Sequence, residues 1–600
     1  MAPCIWRAML TAPYVLLDDA RTGGAGARLY ADPVEIVVAE RLDDVVPALA
    51  RLRGAAGRGL HAAGYLTYEA GAALMPRGLP ARVADGPLLW FGLFERYRAM
   101  TADAVAALLP DPAGAWAARP CPRIDRDVYD AGLAAVLEMI RAGDIYQANL
   151  TLRADVAVAG DPAALYARLR QGSAAGHGAL VATGDRHVLS LSPELFFALD
   201  EGRLTCRPMK GTATRGDTAE EDAARVIALG ADAKQRAENL MIVDLMRNDL
   251  SRVAVPGSVA VPALFTVETY PTVHQMTSTV TATLAEGRDA VDVLTALFPC
   301  GSITGAPKQR SLEVIAGVES TGRGVYTGAI GRIDAAGDAA FNVAIRTLTI
   351  EAGASVAELG LGSGIVADSR ADEEWAEVLA KGAFVTAGQR PLDLIETMAF
   401  DPEQGMPLLD RHLERMRASA LALGFRFDRH HARNELQAAT FRLREAARIR
   451  LLLAQSGAIA IEVAPAPAAF DRPLRVAAVP LPVDARDYRL RHKTSDRGFY
   501  DAARIAAGTD EVVFVRPDGL LTEGSFTSLF VPGSDGRLLT PALASGLLPG
   551  VLRSQLIDAG QAVEANLSPH DLPEQFFVGN ALRGLIPAVV AVATSGALSL

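Results

Sequence analysis

Lys210 stands in TCRPMKGTATRG (205–216), between a Pro-Met pair and a Gly-Thr turn, in a segment otherwise suited to lining a pocket. An amine there is a nucleophile only when deprotonated, and at an unperturbed pKa of about 10.4 roughly one lysine in a thousand is neutral near pH 7.4. Taken alone, a lysine beside a Gly turn is also simply a solvated charge. A second cluster lies in SGIVADSRADEEWAEVLAKGA (363–383), where Glu374 and Glu377 are spaced i,i+3 and Lys381 follows Glu377 at i+4. The three share one helical face, which on this spacing is either a salt-bridged surface or part of a site. Glu238 favours the site, because the LMIVDLM run that follows it is too apolar for a surface helix and predicts burial. A buried carboxylate needs a partner, and several converging carboxylates are what a hard cation such as Mg²⁺ requires. In FPCGSITGAPKQRSLEVI (298–315), small residues and Pro307 precede a helical pattern, so free backbone N–H groups would face a bound carboxylate. Arg346, in the strand-like run FNVAIRTLTI, would be costly unpaired and points to a substrate anion.

The elements that must position these groups follow from length and pattern. Six hundred residues exceed one compact core and predict two or more domains. With 50% hydrophobic and 22% charged residues the chain reads as globular, and its net charge of −11 speaks against nucleic-acid or anionic-membrane binding. The opening MAPCIWRAMLTAPYVLLDDA is a poor secretory signal, and no apolar run reaches the roughly 18 residues of a membrane span. Cys4, Cys121, Cys206 and Cys300 form neither a CxxC pair nor a disulfide framework, which predicts a reducing cytoplasm. Residues 1–120 mix strand-like runs such as PLLWFGLFERY with Ala-rich patches, and end in the Pro-rich LLPDPAGAWAARPCPR. Residues 121–388 alternate amphipathic helices such as DVYDAGLAAVLEMIRAG with β-rich runs such as HVLSLS and GVYTGAIGRI. Pro and Gly punctuation in TAGQRPLDLIETMAFDPEQG sets a boundary near 388, and a unit of residues 389–600 follows.

Within this frame a resemblance is specific. SPELFF, PMKGTATRG, AENLMIVDLMRNDL, YPTVHQMTSTV, GSITGAPK, RGVYTGAIG, FNVAIRT and GSGIVADS occur in the order found in the chorismate-utilising enzymes, and GYLTYEAGAAL and LLWFGLFE extend the likeness toward the N-terminus. The resemblance implies an α+β fold of two largely antiparallel sheets with helices outside. It implies that Glu238, Glu374 and Glu377 hold Mg²⁺ against a substrate carboxylate, and that Tyr326, Arg346 and Gly364 bind carboxylates. Gly211, Thr212, Ser302 and Thr304 would line the pocket, with Lys381 among the substrate-binding groups. Members that make anthranilate resemble PIAGT at the Lys210 turn, whereas those that add water carry a base-forming lysine in the strand occupied here by YQANLTLR, where this chain has Gln147. Lysine within the Gly-Thr motif is similar to the branch that forms aminodeoxychorismate. There its amine is proposed to attack ring carbon C2 and expel the C4 hydroxyl, before ammonia attacks C4 and releases the lysine. The family's histidine falls at His274 or next to it at Gln275, and is assigned to His274 as an aid to hydroxyl departure. Gln235 stands where many relatives have an acid. None of APCIW, RPCPR, TCRPM and FPCGS resembles a glutaminase nucleophile turn, so a separate glutamine amidotransferase subunit is the expected ammonia source.

In the last unit LLDRHLERMRASALAL (408–423) is a clear amphipathic helix in which Arg415 could be a plain surface cation. RHKTSDRGFYDAAR, LLTEGSFTSLFV, SGLLPGVLR and FFVGNALRGL follow, and together resemble the class IV aminotransferase-like enzymes of pyridoxal phosphate (PLP) fold type IV, a two-part α/β fold whose members include aminodeoxychorismate-cleaving lyases. By that resemblance Lys493 holds PLP covalently, Glu523 faces its pyridine nitrogen and Arg415 binds its phosphate. A guanidinium suits phosphate and a carboxylate keeps the pyridinium protonated. Ser528 stands in place of the family's Asn and Ala581 in place of a hydroxyl residue, departures that would weaken phosphate binding. The likeness also allows a homodimer through the PLP unit. The expected function is amination of chorismate followed by elimination of pyruvate to give 4-aminobenzoate. The alternatives are anthranilate formation, a chorismate-binding regulatory subunit without turnover, and a C-terminal unit that is a small-amino-acid transaminase or inactive.

Overall fold

The computed structural model describes residues 11–75, 85–270 and 273–591. Residues 1–10, which include Cys4 and the first half of the opening stretch, and Pro271 and Thr272 of YPTVHQMTSTV lie outside them. The chain divides into two compact units: one takes residues up to Leu109, Arg119–Val156 and Tyr166–Gly388, the other Pro110–Ala118, Ala157–Leu165 and the chain from Gln389 onward.

In the first unit the strand Leu89–Phe94 is buried at every position. Its side chains alternate between two cores: Trp90 and Phe94 meet residues of the opposite sheet such as Val15 and Val181, while Leu89, Phe91 and Leu93 join a cluster with Leu49, Ile242 and Leu294 of the covering helices. A strand covered on both faces reads as a continuous apolar run. Among the described residues one sheet has 11 strands and the other 10. The first runs outward from Gly305–Ala306 through Gln147–Ala159, Val356–Ile365 and Thr347–Glu351 toward Tyr14–Asp18. The second starts at Met209–Thr214, next to Val273–Thr283, and reaches Glu35–Ala39. Pairs such as His177–Ala182 with Arg186–Ser192 are antiparallel. The N-terminal strands, expected as a subdomain to residue 120, are built into both sheets: Tyr14–Asp18 pairs with His177–Ala182, and His61–Leu66 with Ala329–Ile333. Residues 110–118 group with the second unit, where Trp116 packs in its core and donates to the Leu423 carbonyl at 2.8 Å.

Two local expectations change. The helix Ala233–Ser251 buries only the stripe Asn239, Ile242, Val243, Met246, Asp249 and Leu250, whereas Asp244 and Leu240 are exposed. The LMIVDLM run is therefore amphipathic rather than wholly buried, because the 3.6-residue period turns every third or fourth side chain to the core. FNVAIRTLTI is not one strand: Ala339–Val343 belongs to one sheet and Thr347–Glu351 to the other, and Arg346 sits between them at φ 50°.

In the second unit Leu394–Phe400, Ala447–Leu453 and Ile459–Pro465 form a three-stranded sheet covered by the helices Leu409–Leu423 and Arg429–Thr440. The other part is a mixed eight-stranded sheet in which Leu474–Pro480 lies parallel to both Glu511–Val515 and Gly584–Val590. This is the two-part α/β arrangement expected. No described helix is long and apolar enough to cross a membrane.

Candidate active sites

Lys210 lies on the edge strand Met209–Thr214, which a bulge between Met209 and Thr212 deforms against Val273–Thr283. Its amine reaches across to the strand Val356–Ile365: a Cβ added at Gly364 would stand 2.7 Å from Lys210 Nζ and 2.9 Å from Gln147 Nε2. Glycine at 364 is thus the space in which amine and amide meet. Gln147 is fully buried, and neither atom of its amide has a hydrogen-bond partner among the described residues. Burial, reinforced by the nearby Lys381 cation, pushes the Lys210 pKa down, while Glu238, Glu377 and Glu194 oppose the shift. Gly211, at φ 101°, turns the strand after Lys210 and accepts a 2.8 Å bond from Gln275 Nε2. Thr212 donates to Gln275 Oε1 at 3.0 Å and is exposed.

Of the three glutamates, Glu238 and Glu377 bear on the same amine. Burial raises the pKa of Glu238, which also feels Asp368 and Glu377. Glu374 accepts a 2.6 Å bond from Ser369, and Glu377 pairs with Lys381 at 2.7 Å, one turn along the helix Ala371–Lys381. Burial tends to raise Glu377, but Lys381 and then Lys210 hold it below the usual carboxylate range. Lys381 also donates to the Gly362 carbonyl at 2.9 Å. Among the described residues no three metal-ligating side chains already stand as a cluster, since Glu377 is turned to Lys381. The donor chemistry nonetheless fits Mg²⁺: these are hard oxygen ligands, and Glu238 is a partly buried carboxylate destabilised by its surroundings, which a dication would relieve.

Ser302 is buried and hydrogen-bonds Glu194, a residue that sequence reasoning passed over. Burial lifts the Glu194 carboxyl to about 7 even with Lys210 nearby. Its signal was a lone acid in SPELFF, between two apolar strands. Thr304 is buried, and its hydroxyl donates to the carbonyls of Cys300 and Gly301, both at 3.1 Å. Tyr326 is buried against Gly360, with Arg153 6.0 Å from its ring centroid. Arg346 carries a guanidinium whose pKa burial lowers, and among the described residues no carboxylate pairs with it. His274 is fully buried and tied to Asp222 (2.8 Å) and Thr269 (3.0 Å). No described hydrogen bond or ion pair joins His274 to Lys210 or to the three glutamates.

The second unit holds a cavity of about 320 Å³ between its two parts. Lys493 and Glu523 both line it. Burial, then the Arg415 charge, brings Lys493 down to about 7, and its amine lies 3.4 Å from Thr397 Oγ1. Burial lifts Glu523 to about 7 although Arg497 is near and Tyr500 donates to it at 2.6 Å. Arg415 is not a plain surface cation: it grips Glu396 at 2.6 and 2.8 Å and donates to the Pro549 carbonyl at 3.1 Å, just ahead of the helix Val551–Asp558. Burial works to raise Glu396, but Arg415 and His412 bring it to about 2. Glu396 and His412 were legible only as a lone acid in an apolar strand and a histidine on the buried face of the helix. A Cβ at Gly550 would meet Ser528 Oγ at 2.5 Å, so the serine hydroxyl stands at that helix start. The buried, unpartnered His412 Nε2 and Arg497 Nη1, the near-neutral amine and the buried Glu523 carboxyl, raised to about 7, fit PLP.

Two antiparallel-rich sheets with a buried lysine beside carboxylates define a known class. Residues 13–387 match the chorismate binding enzyme family model, and the chain belongs to the chorismate binding enzymes. Residues 393–590 match amino-transferase class IV. The chain is 43% identical over 256 residues to aminodeoxychorismate synthase component 1 of Escherichia coli (strain K12), covering 43% of this chain and 56% of that protein. It is 40% identical over 258 residues to anthranilate synthase component 1 of Haloferax volcanii, covering 43% and 49%. The chain thus spans about half the length of these curated relatives. Anthranilate synthase component I from Streptococcus pneumoniae superposes with a TM-score of 0.52 at 25% identity, over 63% of this chain and 93% of that one.

Proposed function

We propose that the chain makes 4-aminobenzoate: the first unit aminates chorismate to 4-amino-4-deoxychorismate and the second removes pyruvate. The observation that carries the first half is Lys210, an amine kept toward its neutral form and aimed into the space above Gly364 beside Gln147. In this reading Lys210 attacks C2 as the C4 hydroxyl departs; ammonia then attacks C4 and the C2–N bond breaks, returning the lysine. Arg346 would hold a substrate carboxylate, Ser302 and Glu194 would border the ring, and Glu194, near half-protonation at neutral pH, could move a proton. Glu238, Glu374 and Glu377 would hold Mg²⁺, which when bound neutralises a substrate carboxylate. His274, anchored on Asp222, would act on the departing hydroxyl only from outside the lysine cluster.

In the second unit PLP, when bound, supplies an electron sink. Lys493, neutral in part near pH 7, would take the proton from C4 of the substrate ring and return one to the methylene carbon of the departing enolpyruvyl group. Glu523 would hold the ring nitrogen's proton, while Arg415 and the helix start at Gly550 would hold the phosphate. Ammonia would come from a separate glutamine amidotransferase. Of the described cysteines, Cys206 and Cys300 are pushed up by burial, Cys300 to about 12, the reverse of a nucleophile. A cytoplasmic setting and a homodimer through the second unit belong to the same reading, the latter tested by sedimentation. The decisive experiment incubates the protein with chorismate, Mg²⁺ and ammonium and separates the products. Para-aminated product and pyruvate support the proposal; anthranilate from the wild-type chain would overturn it. Lys210→Ala should lose the para product while still binding chorismate.

A further inference from the structure

The cavity of the second unit is lined by five cationic side chains, Arg415, Arg448, Lys493, Arg497 and Arg583, against one carboxylate, Glu523. Three of the five are accounted for. Arg415 is neutralised by Glu396, Arg497 lies 4.2 Å over the Tyr500 ring and bears on Glu523, and Lys493 is held near neutrality by burial. The Arg448 side chain, exposed on the strand Ala447–Leu453, makes no ion pair or hydrogen bond among the described residues. Among the described residues the Arg583 guanidinium donates only to the Ala468 carbonyl, at 2.7 Å, and covers the Phe470 ring at 4.5 Å. Two guanidinium groups at one cavity are thus left without an acid among the described residues. Like charges at the rim of a low-dielectric cavity repel, and the arrangement is relieved when anions arrive.

We infer that Arg448 and Arg583 make this cavity a reader of dicarboxylates, one guanidinium for each carboxylate of the substrate. The inference rests on the lyase reading above, and deepens it. A substrate with a ring carboxylate and an enolpyruvyl carboxylate uses both groups, whereas a small amino acid with a single carboxylate leaves one unpaired. Planar guanidinium forks suit carboxylates in two-point bonds, so the pair would set orientation as well as affinity.

The test compares binding of 5-aminoisophthalate, which has two carboxylates, with 3-aminobenzoate, which has one, to the cofactor-loaded protein by calorimetry. The wild type should prefer the dicarboxylate, and Arg448→Gln and Arg583→Gln should each weaken it by about 10-fold, the size of one charge-assisted bond. The double variant should bind both compounds alike, and in each variant the KM for aminodeoxychorismate should rise more than kcat falls. Variants that keep the wild-type preference, or that lose affinity for pyridoxal phosphate instead, would overturn the assignment. Pyruvate release by the wild type is scored separately. A protein that prefers the dicarboxylate through these arginines yet releases no pyruvate would refute the lyase reading and leave the arginine pair standing.

Discussion

Replacing Gly364 by alanine probes the lysine's position without touching its chemistry. The new methyl would stand 2.7 Å from Lys210 Nζ and 2.9 Å from Gln147 Nε2. Non-bonded contacts settle at about 3.5 Å, so the amine must withdraw by about 0.8 Å and the amide by about 0.6 Å. The amine ends a flexible chain and can move, which keeps the folding cost within the ~1–3 kcal/mol typical of an overpacked site. The reaction is less forgiving, because a misplacement of about 1 Å can cost on the order of 100-fold in rate. We therefore expect Gly364→Ala to lower kcat/KM for ammonium-dependent amination by roughly 30- to 100-fold. Its melting temperature should fall by only a few degrees, and its production of 4-aminobenzoate from supplied aminodeoxychorismate should be intact. The assay is product chromatography from chorismate, with thermal unfolding as the control. Wild-type amination by a folded Gly364→Ala protein would show that the Lys210 amine does not work above Gly364, and would refute the covalent role.

Glu377→Gln should raise the Mg²⁺ concentration needed for half-maximal amination, by about 10-fold if one ligand is lost, and leave pyruvate release from supplied intermediate unchanged; an unaltered Mg²⁺ titration would return Glu377 to a surface pair with Lys381. Uptake of pyridoxal phosphate by the cofactor-free protein should accelerate as pH rises through about 7, because below that value the Lys493 amine is protonated and above it neutral; a midpoint near the ordinary lysine value of about 10 would contradict the burial argument. Lys493→Ala should lose covalently held cofactor absorbance and accumulate aminodeoxychorismate from chorismate and ammonium; full 4-aminobenzoate output from that variant, free of contaminating lyase, would refute the role of the second unit.

What could be read in the sequence follows the range of the interactions involved. The face shared by Glu374, Glu377 and Lys381 was legible because helical spacing alone brings i and i+4 together, and the 2.7 Å pair is that rule realised. The stripe on Ala233–Ser251 belongs to the same kind, misjudged only in how much of the helix it buries. Glu194 and the turn of the chain at Arg346 were not legible, because each depends on which strand lies beside which, and sheet pairing joins segments far apart in sequence. The Arg346 strand pattern was locally sound; what it could not reveal is that one apolar run serves two sheets, and that the residue at the crossing takes the left-handed conformation. Lys381 shows why the distinction matters for chemistry. Its spacing predicts a partner for Glu377 and nothing more. Only because the strand Val356–Ile365 passes beside both helix and lysine edge does Lys381 donate to Gly362 while its charge bears on Lys210, two residues from where Gly364 opens the space for the amine. One member of a surface-style ion pair thereby helps to lower the pKa of Lys210 while its partner Glu377 opposes the shift, and that reach is a property of the sheet rather than of the helix that carries the pair.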